Sequence, residues 1–155
     1  MFHRLYYHVV WTTRNREPLI DAGVAAFLCR YLRGVARQER AHVLEIGMVG
    51  THVHLLVRVH PTTELSRLLQ RFKGGSSTVA GKEHHSSTGV ALKWSKGYSI
   101  ATVSPRTLEA VRQYLRQQPA QHPNHAIPGW TGDAPEYEVA GREQWRGPDR
   151  SVIHS

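Results

Sequence analysis

The sequence has little that would suit a secreted or membrane protein. A single cysteine, Cys29, occurs in 155 residues, which excludes an internal disulfide and suits a reducing cytoplasm. No apolar run approaches the roughly 18 residues that a membrane span requires. The N-terminus enters an alternating pattern almost at once, so no signal peptide is expected and a cytoplasmic location is. Acidic residues are also scarce: 12 Asp and Glu stand against 20 Lys and Arg, a formal charge of +8. Such a surface attracts polyanions. With no basic amphipathic anchor in the chain, nucleic acid is the partner class to expect and a membrane is not. A chain of this length forms one compact domain that buries roughly two-thirds of its unfolded surface.

Residues 4 to 13 are rich in aromatic and β-branched types and read as a strand. After a turn from Asn15 to Pro18, Asp21 caps an expected helix that runs to about Arg40. Val24, Phe27, Leu28, Tyr31, Leu32 and Val35 form its apolar face, with Arg30, Arg33, Arg37 and Arg40 opposite, as a solvated stripe or a DNA site. Strands are expected over 42–49 and 52–59, joined tightly around Gly50-Thr51. A second helix starts within Pro61 to Glu64, capped by Thr62 or Thr63, and buries Leu65, Leu68, Leu69 and Phe72. Gly74-Gly75 weakens or bends it, and 81–91 reads as a polar loop. A strand over 97–103 precedes a last helix with Ser104 as cap and Pro105 in its first turn, which Pro119 ends. The order β-α-β-β-α-β plus a helix predicts an α+β, ferredoxin-like antiparallel sheet with helices on one face. Residues 1–122 form the domain, and 123–155 read as an irregular tail.

Within the second central strand, His52 and His54 alternate around Val53, so both imidazoles project from one face. Two neutral imidazoles so placed either hold a divalent cation or serve the structure alone; catalysis needs a third ligand and open positions. In the last helix Tyr114 and Gln118 are four apart, on one face. Gln118 offers a carbonyl oxygen and Tyr114 a phenol. The competing reading makes Tyr114 part of the core stripe of Leu108, Val111 and Leu115.

Five ordered segments then narrow the choice: Tyr7-His8-Val9-Val10-Trp11-Thr12-Thr13, His52-Val53-His54-Leu55-Leu56-Val57, Phe72-Lys73-Gly74-Gly75-Ser76-Ser77, Trp94-Ser95-Lys96-Gly97-Tyr98 and Tyr114-Leu115-Arg116-Gln117-Gln118. Over about residues 4 to 122 the chain resembles the single-tyrosine HUH transposases of the insertion-sequence 200/605 type. The resemblance implies that His52 and His54 bind a divalent metal, Mg²⁺ or Mn²⁺, with Gln118 completing the site and Tyr114 as nucleophile. It implies cleavage and rejoining of single-stranded DNA at hairpin-marked element ends, through a 5′-phosphotyrosine. It also implies a homodimer, in which the tyrosine serves its own or the partner's histidines, associated with the nucleoid when DNA is bound. Two positions depart from the family pattern. Thr51 stands where many members carry an acid, with its side chain expected to point away from the metal face, and Pro119 directly follows Gln118.

Arg14, Arg16, Arg67, Arg71 and Lys73 are candidate DNA-backbone contacts or plain solvated charges. Trp11, Trp94 and Tyr98 either stack on unpaired bases or pack structurally. His84 and His85 fall in the polar loop, His122 follows the tyrosine helix, and Cys29 is expected to be a small core residue. Three functions fit this set: an active transposase, a solo repeat-associated tyrosine transposase, and a domesticated hairpin-DNA-binding protein without cleavage activity.

Overall fold

The computed structural model describes residues 4–83, 89–130 and 132. Its elements are β1 (Leu5–Thr12), α1 (Ala22–Gln38), β2 (Ala41–Val49), β3 (His52–Val59), α2 (Leu65–Gln70), α3 (Ser76–Glu83), β4 (Ser99–Val103), α4 (Leu108–Arg116) and α5 (Gln118–Gln121). The strands form one antiparallel sheet in the order β2-β3-β1-β4. This is the expected ferredoxin-like α+β arrangement, in which the two strands flanking each crossover are separated by a third.

Alternation along the strands assigns each side chain to a face. Val9, Trp11, Val53, Leu55, Val57, Ile46 and Met48 pack beneath α1, α2 and α3 in the main core. The expected stripe of α1 packs there, with Tyr31 only partly buried, and Asp21 caps the helix by accepting from Val24 N at 2.9 Å. Cys29 is buried in the same core, and burial pushes its thiol up to about 11, which leaves it inert. Tyr6, Leu44, Leu56 and Val103 point to the other face and form a smaller cluster with Leu115. A bulge between Val43 and Glu45 slips the β2–β3 register by one residue. Through it Leu44 enters the smaller cluster while the next residue, Glu45, lies opposite Leu56 on the same face.

Several local expectations are corrected. Thr62 and Thr63 do not cap α2; the Thr63 hydroxyl instead donates to Glu39 O and Arg40 O, tying the preceding turn to the end of α1. At Gly74-Gly75, expected to weaken or bend the helix, the regular α-helix does give way. Arg71–Gly75 form a π-helical turn, Tyr31 closes against Gly75, and α3 continues to Glu83, into the stretch expected to be loop. Arg33 is not on a solvated stripe but bends back to donate to Val43 O at 2.9 Å. Ser104 makes no side-chain cap; a 3₁₀ turn over Pro105–Thr107 leads into α4. Beyond α5, Pro123–His125 form another 3₁₀ turn, Gly50 N donates to His125 O at 2.6 Å, and Ile127 reaches the main core.

His42 lies on β2 opposite Arg58. Burial pushes its imidazole down to about 4, helped by the charges of Arg33, Arg58, Arg37 and Arg112. Between an unfolded value near 6.5 and the folded value near 4, the unfolded chain binds more protons, so stability falls as pH falls through this window. His42→Gln should remove a slope of at most about 1.4 kcal/mol per pH unit from urea-derived stability across that range. An identical slope in the variant would contradict this assignment.

Candidate active site

The site is built on the face of the sheet that α1 to α3 leave open. At its start β3 pairs His52 with Thr12 and Val49, and His54 with Val10 and Gly47. Both histidines are largely buried, at 8% and 7% exposure, which gives a geometry fixed by the sheet. Their rings are 5.1 Å apart. His52 Nδ1 lies 3.0 Å from Thr51 Oγ1, and His52 Nε2 lies 3.2 Å from Gln118 Oε1. The Thr51 side chain therefore does not point away from the site, as expected, but touches the first histidine. His54 Nδ1 lies 2.9 Å from Nε2 of His8, a residue of β1. Burial pushes His54 down to about 3, with the charges of His8, His52 and His122 adding to it, and burial lowers His52 and His8 too. The imidazoles are therefore neutral at physiological pH, as metal ligands must be.

Three devices set α4 on this face. Leu115 is fully buried in the smaller cluster, with Leu108 and Val111 beside it. Gly47 lies directly under the Leu115 backbone: a Cβ there would overlap the Leu115 carbonyl. Glu45 accepts from Arg112 Nε at 3.3 Å and pairs with Arg116 Nη2 at 3.1 Å, which fixes the rotation of the helix. Tyr114 is then not a core residue. It is 41% exposed, and its ring lies 5.6 Å from that of His54 and 6.2 Å from that of His8.

The helix break comes earlier than Pro119. Gln117 closes α4, and Pro119 sits in the first turn of α5, where its missing N–H costs nothing. Gln118 is thus the first residue of α5, fully buried, with Oε1 towards His52 and Nε2 3.5 Å from both Tyr114 O and Gln121 Oε1. With Pro119 in this turn, the Gln118 amide still reaches His52. The set is two imidazoles and an amide oxygen; among the described residues no group of three or more His, Cys, Asp or Glu could hold a metal. Two neutral nitrogens and one carbonyl oxygen, with further positions open beside an exposed phenol, fit a divalent cation that also binds substrate oxygen.

The remaining candidates separate. Arg14 and Arg16 are exposed on a turn directly after β1, at the His52 end of the sheet, with Arg16 in a left-handed conformation (φ 53°). Arg67 and Arg71 lie at the opposite end, where both bond Glu39 at 3.2 and 2.7 Å. Lys73 Nζ donates to Ser95 O and Gly97 O, holding the loop before β4. Trp11 is buried against Phe72 and Trp94; Trp94 donates to Ser76 Oγ, and Tyr98 is exposed beside Lys73 and Lys93 in a cleft of about 500 Å³. The His122 ring lies 5.1 Å from His52, which places it at the site. His84 and His85 lie outside the described residues, as does the tail from 133. His8, Gly47 and Glu45 escaped the sequence reading; only the alternation of β1 with His8 in a recognised motif pointed to any of them.

Fold and site define an antiparallel α+β domain that presents a histidine pair, an amide and an exposed tyrosine on one sheet face. Residues 1–118 match the family model of IS200-like transposases, and the chain belongs to that family. It is 28% identical over 119 residues to the ISDra2 transposase TnpA of Deinococcus radiodurans, covering 75% of this chain and 85% of that one. The transposase for insertion sequence element IS200 of Salmonella typhimurium is 22% identical over 118 residues, covering 72% and 75%. In fold, the chain matches a REP-associated tyrosine transposase solved bound to a REP hairpin, with a TM-score of 0.61 at 12% identity, covering 79% of this chain and 72% of that one. No helix among the described residues is long and apolar enough to cross a membrane.

Proposed function

We propose that this protein cleaves and rejoins single-stranded DNA at hairpin-marked ends, using Tyr114 as nucleophile beside a divalent cation held by His52, His54 and Gln118. The observation that carries the reading is the exposed Tyr114 ring 5.6 Å from that of His54, on the face where Gln118 meets His52. Tyr114 Oη forms a bond to a backbone phosphorus while the bond to the 3′ oxygen breaks. The phenolic proton ends on the released 3′-hydroxyl, and the 5′ phosphate stays on the tyrosine. One phosphoester replaces another, so the reverse attack by a 3′-hydroxyl reseals DNA without ATP. His52, His54 and Gln118 would hold Mg²⁺ or Mn²⁺, which would supply polarisation of the scissile phosphate and offset developing charge.

The net charge of +8 gathers the anionic strand. Arg14 and Arg16 stand nearest to the histidines among the candidate backbone contacts, whereas Arg67, Arg71 and Lys73 are engaged within the chain. Hairpin DNA as the substrate follows the family, and the fold neighbour was solved on a REP hairpin. The family resemblance also supports a homodimer acting in the cytoplasm. Nucleophile, histidines and amide already meet within one chain, which favours a tyrosine serving its own histidines.

His52→Ala and His54→Ala should each abolish Mn²⁺ binding and DNA cleavage together while hairpin binding persists. Calorimetric Mn²⁺ titration and a cleavage gel on the hairpins flanking the gene check this. Cleavage that survived in both variants would remove the histidines from the reaction.

A further inference from the structure

We propose that His8 is the positioning residue for His54: by accepting at Nε2 it holds the His54 proton on Nδ1 and leaves His54 Nε2 free to bind a cation. The inference rests on the metal reading above and assigns a role to a residue outside the histidine pair.

A histidine can present either ring nitrogen, and a metal ligand works only when the proton sits on the other. The hydrogen bond at the distal nitrogen sets that choice, turns the ring and raises its basicity. On this sheet both distal nitrogens are already taken. His52 Nδ1 meets the Thr51 hydroxyl at 3.0 Å, and without a cation its Nε2 donates to Gln118 Oε1 at 3.2 Å, the two ligand atoms that a cation would draw apart from that bond. His54 Nδ1 meets His8 Nε2 at 2.9 Å.

The β1–β3 register supplies this contact. His8 pairs with Leu56, next but one to His54, so the two imidazoles share a face. Their rings stack with centroids 5.2 Å apart and planes 27° apart. The stacking fixes the plane of the His8 ring against His54. His8 also lies against the edge of Tyr114, at 6.2 Å between centroids, so the same ring borders the nucleophile. A hydroxyl such as that of Thr51 donates or accepts as required. With its own proton on Nδ1, as the proposal requires, His8 offers only an acceptor at Nε2 and is the stricter of the two partners.

The test compares wild type, His8→Phe, which keeps a ring and loses the acceptor, and His8→Gln, whose amide oxygen restores one, with His52→Ala and His54→Ala as controls for the metal reading. Long-range ¹H–¹⁵N NMR of the metal-free proteins reads the His54 tautomer, and calorimetry reads Mn²⁺ affinity. Wild type and His8→Gln should carry the His54 proton on Nδ1. His8→Phe should shift it towards Nε2, leave His52 unchanged, and weaken Mn²⁺ binding about 10- to 100-fold, with His8→Gln recovering most of that loss. A wild-type His54 protonated on Nε2 would overturn the inference without any variant. So would His8→Phe with wild-type tautomer and affinity. A wild type whose Mn²⁺ binding does not depend on His52 and His54 would instead overturn the metal reading on which the inference rests.

Discussion

Tyr114→Phe is expected to lower covalent DNA adduct formation by about 10³-fold or more, to background, because in the proposed reaction the phenol oxygen is the atom that joins phosphorus. The same change should hardly touch the fold. Tyr114 is 41% exposed and its ring contacts are edge-on to His54 and His8, which phenylalanine preserves. Stability should stay within about 0.5 kcal/mol of wild type, as for other surface substitutions. Hairpin affinity should also be unchanged, since charge and sheet surface are untouched. Adduct gels, urea melts and filter binding on one preparation separate these three quantities. Loss of affinity in step with loss of adduct would make Tyr114 a binding residue.

Gly47→Ala should do nearly as much harm from beneath the helix. The added methyl meets the Leu115 carbonyl, a backbone atom that moves only if α4 moves. Overpacking of this kind costs about 1–3 kcal/mol. A shift of about 1 Å at the proposed nucleophile costs about 10²-fold in rate. Gly34→Ala is the control. It lies within α1 with nothing inside 4 Å of the new methyl, and it should stabilise by about 0.5–1 kcal/mol with activity unchanged. Equal rates in the two variants would show that α4 is not seated through Gly47.

These two residues mark how far the sequence is legible. Tyr114 sits in a motif, and its helix, the histidine strand and the apolar stripes follow from periodicities of 3.6 and 2. Gly47 carries no such signal, because its role depends on a carbonyl 68 residues away along the chain. His8 shows the boundary between the two cases. Alternation puts it on one face of β1, but only the sheet order and the Leu56 register bring it to His54. Glu45 was hidden by the bulge before it, which no periodicity anticipates. The misread helix ends share one ambiguity. Thr63, Ser104 and Pro119 are residues that favour helix termini, yet the Thr63 hydroxyl goes to another segment, that of Ser104 turns to Thr107 Oγ1, and Pro119 starts a turn where it was expected to end one. Local preference names the punctuation but not which clause it closes.

The most direct test is to trap the adduct on single-stranded hairpin DNA with Mn²⁺, digest it, and locate the nucleotide by mass spectrometry. The account predicts a 5′-phosphate linked to the peptide that contains Tyr114, formed only with the cation present. A phosphate on another tyrosine, or hairpin binding with no adduct under any divalent metal, would contradict it.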